Sequence, residues 1–291
     1  MIRIGVDLGG TKIEAIALSP EGRTLGRRRV ATPALNYDAI LRAVADLVAA
    51  VEQEAGGRGT IGVGTPGAIS PKTHLVKNSN TVVLNGRPLA HDLALALNRV
   101  VRLENDANCF ALSEAVDGAG AHAHVVFGVI LGTGVGGGIV IDGRVLKGHN
   151  RIAGEWGHNP LRMSAEEHPG PHCYCGEMGC IEAFLCGPAL ERDFSARGGG
   201  KASGAEIAAL ADRGDARALA TLSLYQDRLS RALASLVNLV DPDVIVLGGG
   251  VSNVARLYEG LEPLVERYAF TDSLATKILR NVHGDSGGVR G

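Results

Sequence analysis

Ile2-Arg3-Ile4-Gly5-Val6-Asp7-Leu8-Gly9-Gly10-Thr11-Lys12-Ile13-Glu14-Ala15-Ile16-Ala17-Leu18 opens the chain as two β-branched runs around a pair of glycines. Ile2 to Val6 and Ile13 to Leu18 read as strands joined at Gly9-Gly10, and beyond the Pro20-Glu21-Gly22 turn a third strand runs from Thr24 to Val30. Tyr37 to Ala55 places Ile40, Leu41, Val44, Leu47, Val48 and Val51 on one helical face, stopped by Gly56-Gly57 before a buried strand at Ile61 to Val63. A helix at Leu89 to Leu97, a strand at Val100 to Leu103 and a helix capped by Asn105 or Asp106 follow. The second half begins in the same way, with strand Val125 to Leu131, a glycine turn and strand Gly138 to Ile141. Helices at Ala205 to Ala211 and Arg217 to Val240 lead to a buried strand, Val244 to Leu247, and to a helix from Val251 to Tyr268.

This repeat predicts an α/β chain of two similar domains, and 291 residues suffice to give each its own core. The joint is expected near Gly118 to Ala121, giving a small N-terminal domain over 1–118 and a larger one over 119–291 with an insertion at about 147–182. The 29 Lys and Arg against 31 Asp and Glu leave a net charge of -2, which offers no basic field for nucleic acid or an anionic membrane surface. Asp7 interrupts the first apolar run and no basic leader precedes it, so a cytoplasmic location is expected. Val125 to Ile141 is uncharged but falls short of the ~20 residues of a spanning helix, and its glycines fit a hairpin instead.

Asp7-Leu8-Gly9-Gly10-Thr11-Lys12 is a hairpin whose glycines let backbone N–H groups approach an anion, with Thr11 and Lys12 adding a hydroxyl and a charge. Hairpins favour glycine for turn geometry alone, but Gly132-Thr133-Gly134 with Val135 to Gly138 occupies the corresponding turn of the second half. DLGGTK, LGTGVGGG and VIVLGGGVSN, in that order, resemble the nucleotide site of the actin, hexokinase and Hsp70 superfamily. The resemblance implies two ribonuclease H-like (actin-like ATPase) domains with an interdomain cleft. In it the two hairpins hold the phosphates of ATP, Gly248, Gly249 and Gly250 lie against the adenosine, and Asp7 helps hold Mg2+. Rival phosphate motifs fail on spacing. Gly62 to Gly67 matches a dinucleotide fingerprint, but Pro66 and Pro71 break any following helix, and Gly198-Gly199-Gly200-Lys201 lacks the hydroxyl residue of a P-loop.

Leu103-Glu104-Asn105-Asp106-Ala107-Asn108 puts a carboxylate where a strand turns into a helix. Either residue could simply cap that helix. A carboxylate there could equally accept the proton of a hydroxyl aimed at a γ-phosphate. NDAN between two glycine hairpins resembles the signature of the ROK family of sugar kinases, which implies Asp106 as base and Asn105 as a sugar ligand. Cys173, Cys175 and Cys180 fall within eight residues, a density that points to a tetrahedral metal site needing a fourth ligand. His158, His168 and His172 are candidates. The ROK pattern, GH followed by CxCGxxGC, selects His158 and implies a structural Zn2+, with Glu155, His158 and Glu182 as sugar ligands. Gly67 in TPG and Asn80 in KNSN match further substrate positions.

The resemblance covers essentially the whole chain and implies an ATP-dependent hexose kinase. TPGAISPKTHLVKNSN, LNGRPL and AGEWGHNPL resemble the fructokinase and mannokinase branch, so fructose phosphorylation at the 6-hydroxyl is expected, with glucokinase or N-acetylhexosamine kinase as the alternative. A ROK transcriptional regulator would carry a helix-turn-helix segment ahead of the first hairpin, and an actin-like filament subunit would have no use for AGEWGH or the cysteines. The stretch Gly284-Asp285-Ser286-Gly287-Gly288-Val289-Arg290-Gly291 stands where the family usually continues into a small-residue apolar helix. A homodimer is implied only by analogy. Cys109 and Cys186, without cysteine neighbours, are expected in the core.

Overall fold

The computed structural model describes residues 1–284 and 287–291; Asp285 and Ser286 of the quoted tail lie outside it. The described residues form two compact units, unit 1 with Met1–Ser113, Lys147–Ala153 and 287–291, and unit 2 with Glu114–Leu146 and 154–284. The segment expected as one insertion over 147–182 is thus shared, its first residues belonging to unit 1.

In unit 1, strands β1 (Arg3–Leu8), β2 (Lys12–Leu18) and β3 (Thr24–Ala31) form an antiparallel meander. Helix α1 (Tyr37–Ala55) then crosses to β4 (Thr60–Thr65), which pairs parallel with β1. A small ribbon, β5 (Ala68–Ile69) and β6 (Val76–Lys77), precedes α2 (Leu89–Leu97) and β7 (Val101–Asn105), which pairs parallel with β4. The sheet order is β3-β2-β1-β4-β7. The apolar face read from the sequence of α1 is buried: Ile40, Val44, Val48 and Val51 pack with Val6, Leu8, Ile13 and Ile61. Asn36 caps α1 through its side chain and Gly56 ends it in the left-handed conformation.

Helix α3 (Asp106–Asp117) begins in unit 1 and ends in unit 2, where β8 (Val125–Leu131), β9 (Val135–Ile141) and β10 (Arg144–Val145) follow. Then come α4 (Ile181–Leu185), α5 (Gly187–Phe194), α6 (Gly204–Asp212), α7 (Ala216–Val240), β11 (Val244–Gly248), α8 (Leu261–Tyr268) and β12 (Lys277–Arg280). Its sheet order, β10-β9-β8-β11-β12, has the topology of the first sheet, with an antiparallel meander and two parallel strands beyond β8. The repeat seen in the sequence is therefore a repeat of topology. Last, α9 (Gly287–Arg290) returns to unit 1 and lies on β1, where a β-carbon at Gly5 would be 1.9 Å from the carbonyl oxygen of Val289.

The continuous helix expected over Val251 to Tyr268 is absent. Two 3₁₀ turns, Gly250–Asn253 and Ala255–Tyr258, come first, and α8 begins only after Gly260. The buried apolar residues Val251, Val254 and Leu257 recur every third position, which suits a 3₁₀ turn rather than an α-helix. Among the described residues no helix is long and apolar enough to cross a membrane.

Candidate active site and metal centre

The first hairpin turns its carbonyl oxygens inward. Lys12 O accepts from Gly9 N at 3.0 Å, Thr11 O from Thr32 N at 3.0 Å, and Gly9 O from the Thr32 hydroxyl at 2.7 Å. The Gly9 N–H is spent closing the turn, and Gly10 and Thr11 are exposed at its tip, where an anion could approach their backbone. Thr32 was not singled out in the sequence; no motif marks it. Asp7, at the end of β1, carries a carboxyl that burial pushes up to about 6, against the opposing pull of Lys12.

At the end of β7 the capping question resolves between the two neighbours. The Asn105 carboxamide oxygen accepts from the backbone N–H groups of Ala107 at 3.0 Å and Asn108 at 3.2 Å, so Asn105 caps α3. Its Nδ2 donates to Gly67 O at 2.9 Å. Asp106 Oδ1 accepts from Ala107 N at 2.8 Å, a contact inside its own turn that fixes the carboxylate at the helix start. Gly67 has φ of 78°, and a β-carbon there would stand 2.4 Å from Lys77 O; only glycine lets TPG pass this closely under the ribbon. Asn80 is exposed on the loop after β6, whereas Asn85 holds that loop, bonding Ser79 N at 2.9 Å and Ser79 O at 2.8 Å.

Glu104 is the residue that sequence reasoning quoted without assigning. One carboxylate oxygen accepts from Asn105 N at 3.1 Å and Asn108 Nδ2 at 3.0 Å, and the other pairs with Lys147. Burial works against its ionisation, but Lys147, Asn108 and the Asn105 N–H together hold the carboxyl below its ordinary range. Lys147 reaches it from the 147–153 strap, which Lys77 also grips through Asn150 O at 3.0 Å.

In unit 2 the second hairpin is built on the same plan. Gly134 O accepts from Gly132 N at 2.9 Å and Gly132 O from Gly187 N at 2.7 Å. Glu182, nearly buried at the start of α4, accepts from Val135 N at 2.8 Å, and its Oε2 would lie 2.6 Å from a β-carbon at Gly134. The glycines that follow have another role. Trp156, buried and edge-on to Phe127, donates its indole N–H to Gly136 O at 2.9 Å, and a β-carbon at Gly137 would meet its ring at 2.8 Å. AGEWGH therefore lies on the side-chain-free stretch of β9, which seats Glu155 and His158 in unit 2 beside the hairpin. Thr133 is exposed at the tip. Gly248 ends β11, Gly249 takes φ of 84°, and Gly250 begins a four-residue 3₁₀ turn.

His158, Cys173, Cys175 and Cys180 converge, with one ligand atom from each lying within 4.8 Å of the others. His158 Nδ1 is 3.6 Å from Cys173 Sγ, and Cys175 Sγ is 3.6 Å from Cys180 Sγ. Zn–S bonds of about 2.3 Å in a tetrahedron set the sulfurs about 3.8 Å apart, so both the donor set and its spacing fit Zn2+. His168 and His172 are outside this cluster. With Nδ1 facing the sulfurs, Nε2 of His158 points elsewhere, 3.1 Å from the Tyr174 hydroxyl. Cys109 and Cys186 are buried in the core, as their isolation in the sequence suggested, and burial pushes the Cys109 thiol up to about 12.

Comparison with known proteins matches residues 3–291 to the model of the ROK family. An N-acetyl-D-glucosamine kinase of Salmonella paratyphi C is 40% identical over 292 aligned residues, covering 99% of this chain and 96% of that protein. Among solved structures, a ROK hexokinase from Thermus thermophilus superposes with a TM-score of 0.86 at 35% identity, covering 100% of this chain and 96% of that one. A ROK glucokinase from Streptomyces griseus, in complex with glucose and AMPPNP, superposes with a TM-score of 0.84 at 29% identity over 100% and 97%. Two repeated α/β units, a glycine hairpin in each, an Asn-Asp pair on α3 and a histidine–cysteine cluster agree with a match along nearly the full length: the chain belongs to the ROK family, with the actin-like ATPase fold.

Proposed function

We propose that this chain is an ATP-dependent sugar kinase that phosphorylates a primary hydroxyl of a hexose, with an N-acetylhexosamine as the preferred class. The observation that carries the sugar is the 40% identity to an N-acetyl-D-glucosamine kinase over almost the whole chain, which favours the alternative kept open beside fructose. Support for the chemistry comes from α3. Because Asn105 satisfies the helix start, Asp106 is held there without being needed as the cap, and its carboxylate accepts the proton of the sugar hydroxyl as that oxygen attacks phosphorus. Asn105, tied to Gly67, orients the sugar, joined in this reading by Glu155, His158 and Glu182 and by the loop of Asn80.

Gly10 and Thr11 in unit 1 and Thr133 and Gly134 in unit 2 would offer N–H groups to the phosphates, Gly9 and Gly132 would shape the turns that they close with their own N–H groups, Lys12 would add its charge, and Gly248, Gly249 and Gly250 would offer a flat turn to the nucleoside. Mg2+ bound with ATP supplies charge neutralisation on the phosphates, and Asp7 is the carboxylate set to hold it. Cys173, Cys175, Cys180 and His158 Nδ1 would hold Zn2+, whose part is to fix the imidazole so that Nε2 presents an N–H to sugar. The test is ADP release with Mg-ATP and N-acetylglucosamine, N-acetylmannosamine, glucose, mannose and fructose, beside an Asp106→Ala protein. Turnover is expected to be greatest with an acetamido sugar and to fall roughly 10²–10⁴-fold in the variant. Equal turnover by the variant removes Asp106 as base, and turnover greatest with fructose returns the assignment to the fructokinase branch.

A further inference from the structure

Thr81 directly precedes the 3₁₀ turn Val82–Leu84, where a threonine hydroxyl ordinarily bonds a free backbone N–H, yet it makes no such bond. The residue is 4% exposed, and its Oγ1 is buried without a hydrogen-bond partner among the described residues. It faces the first glycine hairpin instead: a β-carbon at Gly10 would lie 3.2 Å from it. A hydroxyl buried without a partner is destabilising, and such a group in a native protein calls for an explanation. The loop that carries it is firmly held. Ser79 Oγ accepts from Thr81 N at 3.1 Å, the Asn85 carboxamide bonds both backbone groups of Ser79, and a β-carbon at Gly67 would be 2.8 Å from Ser79 N. The position of Thr81 beside Gly10 is thus set by the loop and not by the hydroxyl, which contributes no bond to it.

We infer that Thr81 is a positioning residue of the first hairpin, its hydroxyl donating to the Gly10 carbonyl when the hairpin holds a phosphate. The inference rests on the reading above in which this hairpin binds nucleotide. In a planar trans peptide the N–H and C=O point in opposite directions. Turning the Thr11 N–H outward to a phosphate oxygen therefore turns the Gly10 carbonyl inward, toward the side on which Thr81 lies. Gly10 has no side chain to restrict that rotation. The carbonyls of Gly9, Thr11 and Lys12 are already engaged by Thr32 and by the Gly9 N–H, so the Gly10–Thr11 peptide is the part of the turn that these bonds leave to adjust. A phosphate oxygen outside and a hydroxyl inside would fix that peptide from its two ends. A hydroxyl that gains its partner only with phosphate bound strengthens binding and adds nothing to the stability of the free chain.

The experiment compares the full chain as wild type, Thr81→Val and Thr81→Ser, by thermal melting without ligand, calorimetric binding of Mg-AMPPNP and of N-acetylglucosamine, and steady-state kinetics. Valine keeps the branched shape and removes the hydroxyl, whereas serine keeps the hydroxyl. Thr81→Val is expected to melt no lower than wild type, because an apolar group replaces an unpartnered polar one. Its affinity for Mg-AMPPNP should fall about fivefold, the worth of one hydrogen bond, with KM for ATP rising by the same factor and kcat little changed. Thr81→Ser should restore both, and sugar affinity should be equal in all three proteins, showing that the loop of Asn80 is intact. A lower melting temperature or unchanged Mg-AMPPNP affinity in Thr81→Val, failure of serine to restore that affinity, or an equal loss of sugar affinity overturns the role given to the hydroxyl. Thr81-dependent binding of Mg-AMPPNP without phosphorylation of any sugar removes the kinase reading and leaves the inference standing. Phosphorylation by a Thr81→Val protein with the wild-type KM for ATP does the reverse.

Discussion

Replacing Asp7 by Asn should stabilise the metal-free protein at neutral pH while removing its activity. Asp7 ends β1 opposite Glu14 on β2, and burial raises its carboxyl from the ordinary 3.8 to about 6. At 1.36 kcal/mol per pKa unit, keeping this carboxylate charged in the fold costs about 3 kcal/mol. The sign follows from proton uptake. Between about pH 4 and 6 the folded chain binds a proton at Asp7 that the unfolded chain has released, so this group's contribution falls as pH rises through that window and stays low above it. Asn carries no such penalty. The variant should therefore match wild type below about pH 4 and exceed it at about pH 7.5 by up to about 3 kcal/mol, or several degrees in melting temperature for a chain of this size. The assay is thermal melting of both proteins across pH in chelator, repeated with Mg-ATP. Mg-ATP should close the gap by stabilising wild type more than the variant, because the charge that costs energy in the empty fold is the one that would meet the metal. A difference in melting temperature that does not vary with pH, or a variant less stable than wild type at about pH 7.5, would refute the reasoning.

Two further outcomes are expected. Stripping metal with a strong chelator should release about one Zn2+ per chain, lower the melting temperature and raise KM for sugar more than KM for ATP, because His158 Nε2 loses its fixed direction; full activity in protein shown by metal analysis to be zinc-free contradicts this. Glu167→Gln should cost about 1–3 kcal/mol, since it removes the carboxylate that Arg228 and Arg231, both nearly buried, meet at 2.6 Å and 2.7 Å, while Asp193 and Asp227 still pair with them; urea denaturation measures it, and a loss within error of zero would count against the pairing.

The elements with strong periodicity were readable from sequence almost to the residue. Tyr37–Ala55, Leu89–Leu97 and Val244–Gly248 have a one-sided apolar pattern or an unbroken apolar run between glycine or proline signals, so local chemistry and tertiary burial agree. What escaped was set by distant partners. Strand β12 shows a single buried residue, Ile278, and exists because β11 offers it a parallel edge. Helix α4 is five residues whose every side chain is buried, too short to show a period. In the site, motif-bearing groups were visible because chemistry restricts their residue types, as with CxCGxxGC and NDAN. Glu104, Thr32 and Asn108 were not, because a carboxylate, a hydroxyl or an amide acquires its role only from the atoms it meets. The glycines of β9 were visible but incompletely understood: Gly134 leaves room for Glu182, whereas Gly137 leaves room for Trp156.

The acidic residues sort by what burial leaves them. Glu167 is buried yet held down to about 2, because Arg231 and Arg228 outweigh desolvation, so its stabilisation is complete above about pH 4.5 and lost as pH falls toward 2. Glu14 is likewise lowered against burial by Arg27 and Arg29, and Glu104 by Lys147. These three are stabilised as anions by cations of the fold itself, which identifies them as structural or positioning groups. At Asp7 the order reverses: desolvation exceeds the help of Lys12 and Arg29, and the folded chain would hold a proton there more readily than the unfolded one. A fold that supplies cations to Glu14, Glu104 and Glu167 but leaves Asp7 short, at the edge of a glycine hairpin, is what the proposed role of Asp7 in holding Mg2+ predicts. That is why the two pH dependences should run in opposite directions, with Asp7 losing stability as pH rises from about 4 to 6 while Glu167 has already delivered all of its own.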